Sequence, residues 1–304
     1  MTADEQSMSA MIGDWVNVAG AMRPKDEAVV SVFDHGFLYG DGVFEGIAVV
    51  NRGVFKLDEH LDRLLDSARY LQIDAPDRGA ILAAILETAR RNRLEEGYLR
   101  VVLSRGAGPV GIRNMDKLGS PTLVVIAQHE TRAMRANVYA NGLRAVMSSV
   151  RRVPPQCVDG KAKTCNYINN ILAYLEARHA GADTAILLDV EGYVAEDYAA
   201  NLFVVVGETV KTPMLGSILN GITRRSILKL CGQQGRAAIE ARLTSHDLYC
   251  ADEVFETGSL AEVKPITSIG GRPIGSGRPG RVTQELHHAL RELMESGACS
   301  TRYE

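Results

Sequence analysis

The stretch AKTCNYINNILAYLEARHAGADTAILLDVEGYVAEDYAANLFVVV, residues 162–206, decides the fold class. Tyr167 to Gly181 has the spacing of a helix, and Gly181 stands just past its last turn as a stop signal. Three short β-rich runs follow: TAILLDV, YVAE after the turn Glu191-Gly192, and ANLFVVV. Consecutive strands joined by tight turns after a single helix do not alternate in the βαβ manner, so the class is α+β and not a Rossmann unit. Working outward, LRAVMSSV (143–150) reads as a strand, RRVPPQCVDGKAK (151–163) as a polar loop, and 222–235 and 281–295 as helices.

The N-terminal half has its own pattern. WVNVAGAM (15–22) and EAVVSVF (27–33) read as strands, and DHGFLYGDGVFEG (34–46) is dense in glycine and aromatics. GIAVVNRGVFKL predicts a hairpin turning at Asn51-Arg52-Gly53. Leu57, Leu61, Leu64, Leu65, Ala68 and Leu71 fall on one face of a helix over 57–73. A second helix over 79–93 and strands at 98–106 and 121–128 complete this half. The pattern fades in HETRAMRANVY. The expected organisation is therefore a smaller N-terminal domain (1–128), an interdomain loop (129–139) and a larger C-terminal domain (140–304). The G-x-G at 40–42 lacks the third glycine of a dinucleotide fingerprint.

Composition narrows the function classes. The chain has 304 residues, 46% hydrophobic and 23% charged, with Lys plus Arg 34 against Asp plus Glu 37. A net charge of -3 does not suit a protein that neutralises a nucleic-acid backbone. No run approaches the length of a membrane span. The opening MTADEQSMSAMIGDW carries acids where a secretory signal needs bases. Five scattered cysteines, none in a C-x-x-C pair, fit reduced thiols, and a cytoplasmic location is expected. No metal site is indicated, and His287-His288 read as surface or packing residues.

Several residues could do chemistry. Only eight lysines occur, and Lys161 and Lys163 both precede the helix of the opening stretch. A lysine does covalent work by forming an imine with a carbonyl cofactor, although a lone loop lysine is ordinarily a solvated cation. Glu196 ends a strand, where a carboxylate can keep a ring nitrogen protonated or simply face solvent. In LNGITRRSI (219–227), Gly221 permits a turn into a helix whose first N–H groups suit an anion, while Thr223 alone would be a plain cap. Gly258, Ser259 and Leu260 could turn their N–H groups to a phosphate or carboxylate, or merely join two strands. Arg63 could be a bidentate phosphate donor or a surface cation. Taken in order, an arginine, an imine-capable lysine, a carboxylate, a helix start and a Gly-Ser turn make the inventory pyridoxal phosphate requires.

At this point the sequence resembles the class IV (fold type IV) pyridoxal-phosphate aminotransferases, nearest the branched-chain amino acid aminotransferases. The resemblance is carried by DHGFLYGDGVFEGI, EHLDRLLDSA, YLRVVLSRG, KTCNYINNILAYLEA, LDVEGYVAE followed by NLF, LNGITR, and ADEVFETGSLAEVKPI, spanning residues 34 to 266. It implies a two-domain α+β fold with the cofactor, pyridoxal 5′-phosphate, at the domain interface. K-x-x-N-Y implies Lys163 as the imine lysine and leaves Lys161 without a role. Tyr167 would sit beside the cofactor's phenolic oxygen and Glu196 at its pyridine nitrogen. Arg63, the N–H groups of Ile222 and Thr223, and Ser259 would hold the phosphate. Tyr39, Phe44 and Arg100 would line the substrate side, with the Ser259-Leu260 turn at the α-carboxylate.

The activity implied is transamination between an aliphatic, branched-chain L-amino acid and 2-oxoglutarate, through the Lys163 aldimine and a 1,3-proton transfer. A homodimer or larger homo-oligomer is implied, without nucleic acid or membrane. Ala48 stands where relatives carry arginine, and Asp197-Tyr198 replace the glycine that follows the glutamate, which puts the substrate pocket in question. D-amino acid aminotransferases and aminodeoxychorismate lyases share GDGVFE, although the Arg-x-His trap of D-type relatives does not follow strand 98–106. A non-catalytic cofactor-binding protein is the reading from another class.

Overall fold

A computed structural model of the chain describes residues 11–130 and 136–303. These divide into two compact units. One holds the residues up to 130 with Ala162–Asn166 and the segment from Met294 onward, and the other holds 136 to Lys161 with Tyr167–Leu293. The first ten residues and 131–135 lie outside the described residues, so the readings made of the opening segment and of part of the 129–139 link fall outside them as well.

The first unit is a seven-stranded antiparallel sheet. Its order is Ser300–Arg302, Gly53–Phe55, Gly42–Val50, Gly97–Ser104, Thr122–His129, Ile12–Val18, Ala21–Pro24. The hairpin turn falls where the sequence predicts it. Asn51 and Arg52 both adopt positive φ (51° and 61°), the pattern of a two-residue turn that matches strand twist. Helices Leu57–Tyr70 and Arg78–Arg91 lay their apolar faces on the sheet. Leu57, Leu61, Leu64 and Ala68 pack with Ile81, Ile85, Ala89 and the strand residues Val43, Ile47, Leu99, Val101 and Leu103. Each leucine in such a core contributes about 1.5–3 kcal/mol on burial.

Two elements differ from their sequence reading. WVNVAGAM is not one strand but parts of two, Ile12–Val18 and Ala21–Pro24, paired across Ala19-Gly20. The alternation in EAVVSVF predicts a strand, but Lys25–Glu27 is a short 3-10 turn, and the residues beyond it join no sheet. Val29, Val32 and Phe33 are exposed. Alternating apolar residues make a strand only where a neighbouring strand takes their hydrogen bonds, and residues 28–33 pair with no strand of the sheet.

The second unit is a nine-stranded mixed sheet. Eight strands follow the order Ala238–Ala241, Thr209–Pro213, Asn201–Val206, Glu253–Gly258, Glu262–Ile269, Leu143–Arg151, Thr184–Leu188, Val194–Asp197, and Arg272–Pro273 pairs with Glu262–Ile269. Helix Ile168–His179 covers one part through Ala173 and Ala177, which meet Ala185 and Leu187. A separate core forms around Ile186, Leu202, Val204, Leu248, Val254 and Ile266. Helix and sheet segregate within each unit, which is the α+β arrangement the opening stretch implies.

Candidate active site

Lys163 belongs to the first unit, where its backbone is fixed on two sides. Segment 163–165 runs along the start of strand Gly42–Val50. The Phe44 N–H donates to Lys163 O (3.0 Å), the Cys165 N–H donates to Gly42 O (2.8 Å), and Thr164 bridges Val43. From the helix Leu57–Tyr70, Ser67 accepts the Lys163 N–H on Oγ (3.0 Å) and donates to Arg63 O (2.7 Å). The lysine side chain projects from this fixed backbone, with Nζ 4.6 Å from the Phe44 ring centroid. Lys161, by contrast, is exposed and pairs with Asp159 (3.3 Å).

The Arg100 guanidinium lies 3.6 Å from the same Phe44 ring and donates to Tyr98 Oη (3.5 Å). Among the described residues no carboxylate is paired with Arg100, so the cation is available to an incoming anion. A Cβ at Gly46 would fall 1.9 Å from Tyr98 Oη, so only glycine lets that phenol lie across the strand. Tyr39 is on the short helix His35–Tyr39, where its hydroxyl accepts the Gly111 N–H (2.8 Å) and His35 packs edge-on to its ring. Cys165 is held as a neutral thiol, because burial pushes it up to about 11.

On the opposite face of strand Gly42–Val50, Glu45 is buried and binds two residues of the helix. It accepts from Arg63 Nε (2.6 Å) and Nη2 (2.7 Å), and His60 Nδ1 lies 2.7 Å away. Burial alone would raise the Glu45 carboxyl, but the charge and hydrogen bonds of Arg63, with help from His60, outweigh it and hold the group well below the usual carboxylate range. Burial lowers His60 despite Glu45, so its imidazole stays neutral and donates from Nδ1. Glu45, His60 and Ser67 were not singled out in the sequence. The available signal was the polar spacing 60, 63, 67, which follows the helical period within the apolar stripe.

In the second unit Glu196 is likewise buried and fully engaged. Arg152 Nη2 lies 2.9 Å from Oε1, and the Asn201 side-chain amide (3.2 Å) and the Leu219 N–H (3.1 Å) donate to Oε2. Arg152 also donates to Asn169 (3.1 Å) and Asn170 (3.3 Å). This donor set fixes the carboxylate in place, where it can face a ring nitrogen. Asn201 also donates to Leu219 O (2.9 Å), which shapes the turn before helix Ile222–Gln233. That helix is capped by Gly221, with no side-chain cap. A Cβ there would fall 2.0 Å from Asn201 Oδ1, so glycine is needed for the close approach. Ile222 and Thr223, both buried, thus form an uncapped helix start beside Glu196, a suitable cradle for an anion.

Thr257 pairs with Asn201 across adjoining strands, and directly opposed residues share a face. Ser259 and Leu260, half-buried, form the turn that follows. The Thr257 hydroxyl is buried with no hydrogen-bond partner among the described residues. A buried donor of this kind, next to a glycine-capped helix start and the Glu196 carboxyl group, fits a phosphorylated pyridine ring. Tyr167 caps helix Ile168–His179, half-buried.

The effect of Asp197 and Tyr198, which the sequence leaves open, is seen in their contacts. Successive strand residues point to opposite faces, so Asp197 turns away from Glu196 to Thr184 and the Ala199 N–H. Burial, reinforced by Glu256, raises its carboxyl well above the usual range. Tyr198 stacks on Tyr174 of the helix at 4.7 Å.

Comparison with known proteins accords with this arrangement. The model of the class IV amino-transferase family matches residues 42–269. The branched-chain-amino-acid aminotransferase of Pseudomonas aeruginosa is 38% identical over 275 residues, which cover 88% of this chain and 89% of that protein. The crystal structure of the T.th. branched-chain amino acid aminotransferase with pyridoxamine 5′-phosphate superposes with a TM-score of 0.91 at 36% identity, covering 95% of this chain and 98% of that one. The same enzyme complexed with N-(5′-phosphopyridoxyl)-L-glutamate gives 0.89, with the same identity and coverage. The chain belongs to the class IV aminotransferases, with the fold type IV architecture, and is an aminotransferase.

Proposed function

We propose that the chain transfers the amino group of an aliphatic, branched-chain L-amino acid to 2-oxoglutarate, using pyridoxal 5′-phosphate. One observation carries this reading. Lys163 has its backbone fixed by strand and helix and its amine at the Phe44 ring, where Arg100 offers a cation that pairs with no carboxylate among the described residues. When bound, the cofactor supplies an aldehyde to take up the amino group and a ring to store the electrons left at Cα. Lys163 Nζ would hold the cofactor through its aldehyde carbon, and the same amine is the group placed to take a proton from substrate Cα and deliver it at C4′. Glu196, held by Arg152 and Asn201, would pair with the pyridine nitrogen. Arg63, the N–H groups of Ile222 and Thr223, and the Ser259 hydroxyl bind the phosphate, and Tyr167 borders the phenolic oxygen.

Phe44 and Tyr39 give the substrate side apolar area, and the N–H groups of Ser259 and Leu260 take the α-carboxylate. Arg100 receives the second carboxylate of glutamate or 2-oxoglutarate, a role supported by the relative complexed with a phosphopyridoxyl-L-glutamate. Apolar walls separate leucine, isoleucine and valine by only about 1–3 kcal/mol per methylene, so breadth across the three is part of the proposal. We also propose a cytoplasmic homodimer or larger homo-oligomer. Val29, Phe37 and Ile112 in one unit, and Ile168, Ile171 and Leu172 on a helix of the other, are large apolar side chains left exposed, the kind of surface that a second copy of the chain covers. The test is a panel of L- and D-amino acids with 2-oxoglutarate and with pyruvate. Turnover of L-leucine, L-isoleucine and L-valine with 2-oxoglutarate supports the reading. Turnover of D-amino acids alone, or pyruvate release from aminodeoxychorismate, sinks it.

A further inference from the structure

We propose that Glu262, fastened to the C-terminal helix by His287 and Arg291, is a positioning residue that holds the turn after Gly258 in its anion-presenting shape. The inference rests on the cofactor reading above, and extends it to residues that touch neither cofactor nor substrate.

Strand Glu253–Gly258 reverses into strand Glu262–Ile269 through only three residues, with Gly258 opposite Glu262. So short a reversal calls for a left-handed residue, and glycine is its usual occupant. Here the left-handed residue is Glu262 (φ 54°), almost completely buried. An L-residue with a long side chain does not settle there unless something holds it. What holds it is on the helix Arg281–Glu295, where His287 Nε2 lies 3.0 Å from Oε2 and Arg291 donates to Oε1 at 3.0 Å. His287 and Arg291 are four residues apart, hence on one helical face. The preceding residue is gripped as well. Tyr139 donates to Ala261 O (3.4 Å), and its ring stacks on His287 at 4.3 Å. Two consecutive residues on the outgoing limb are therefore tied to one layered cluster.

The incoming limb shows what the turn is held for. Thr257 shares the sheet face of Asn201, which bonds Glu196, and its buried hydroxyl has no partner among the described residues. A rigid limb on one side and an unmet donor on the other make the turn a preformed receptor for the phosphate and the substrate carboxylate, with no ordering left for the ligand to drive.

The test is cofactor affinity, measured by equilibrium dialysis and by the phosphorus NMR line of the bound phosphate, with KM and kcat for L-glutamate measured separately. Glu262→Gly accepts the left-handed backbone but removes the fastening. Its expected dissociation constant for pyridoxal phosphate rises about tenfold and its KM rises with it, while kcat at saturation moves less. Glu262→Gln, which can still accept from one donor, should fall between it and the wild type. Tyr139→Phe keeps the stack and loses the bond to Ala261 O, and should weaken cofactor binding by about two- to threefold. A folded Glu262→Gly with affinity and KM within about twofold of wild type overturns the proposal, even if its melting temperature drops. If Glu262→Gly does not fold, unchanged affinity in Tyr139→Phe overturns it instead. Wild-type protein that binds no pyridoxal phosphate would defeat the functional reading itself, so the two failures are distinct.

Discussion

Replacing Glu45 with glutamine tests whether the first unit depends on the buried anion beneath Lys163. The carboxylate is 1% exposed, and it takes two hydrogen bonds from Arg63 and one from His60. Removing one partner of a buried ion pair costs about 3–5 kcal/mol, because the remaining charge is left uncompensated. The Arg63 side chain is 12% exposed and regains some hydration, so the lower end, about 3 kcal/mol, is expected. With a urea m-value of about 1–3 kcal/mol/M, the midpoint should fall by roughly 1–3 M. The pH dependence gives a sharper signature. The Glu45 pKa is lowered on folding, so its stabilisation is complete above the ordinary carboxyl range near 4.5 and is lost as pH falls below it. Glutamine does not titrate, so the stability gap between wild type and Glu45→Gln should be constant from about pH 5.5 to about pH 7. It should then shrink by about 1.4 kcal/mol for each pH unit below that carboxyl range. Equal midpoints at neutral pH, or a gap that does not narrow in acid, would refute the reasoning.

Three other perturbations have defined outcomes. Ser67→Ala removes the acceptor for the Lys163 N–H; a loss of about 1 kcal/mol in stability is expected, read from urea unfolding. Gly221→Ala drives a methyl into Asn201 and disturbs its bond to Glu196, so cofactor affinity should fall at least about tenfold while secondary structure by circular dichroism persists. Arg100→Ala should raise KM for 2-oxoglutarate and L-glutamate far more than for L-leucine, as steady-state kinetics with each substrate varied would show.

Much of this arrangement is legible in the sequence because its signals are local. The leucine spacing over 57–71 gives the helix that carries Arg63, and Asn51-Arg52-Gly53 gives the hairpin behind Phe44. K-x-x-N-Y and the glycine before Ile222 stand out for the same reason: their chemistry sits within a few residues of chain. What was missed depends on distant pairing. EAVVSVF alternates like a strand, yet no strand of the sheet pairs with it. Glu45 reads as an ordinary acid until its strand is laid under His60 and Arg63. Asp197 and Tyr198 stand next to Glu196 in sequence, but the strand's period turns Asp197 to the opposite face, and Tyr198 stacks under the helix. Arg152 shows no motif, and only the fold brings it to Glu196. Glu262 occupies a position where the turn would favour glycine, and His287 and Arg291, on a helix well downstream, explain it.

The central claim is that Lys163, and no other lysine, holds the cofactor. Reduction of the pyridoxal-phosphate-loaded protein with borohydride, followed by peptide mass spectrometry, tests it most directly. The account predicts a stable phosphopyridoxyl adduct on the peptide at Lys163, with Lys161 unmodified. An adduct on Lys161 or elsewhere, or no adduct on loaded protein, would contradict it.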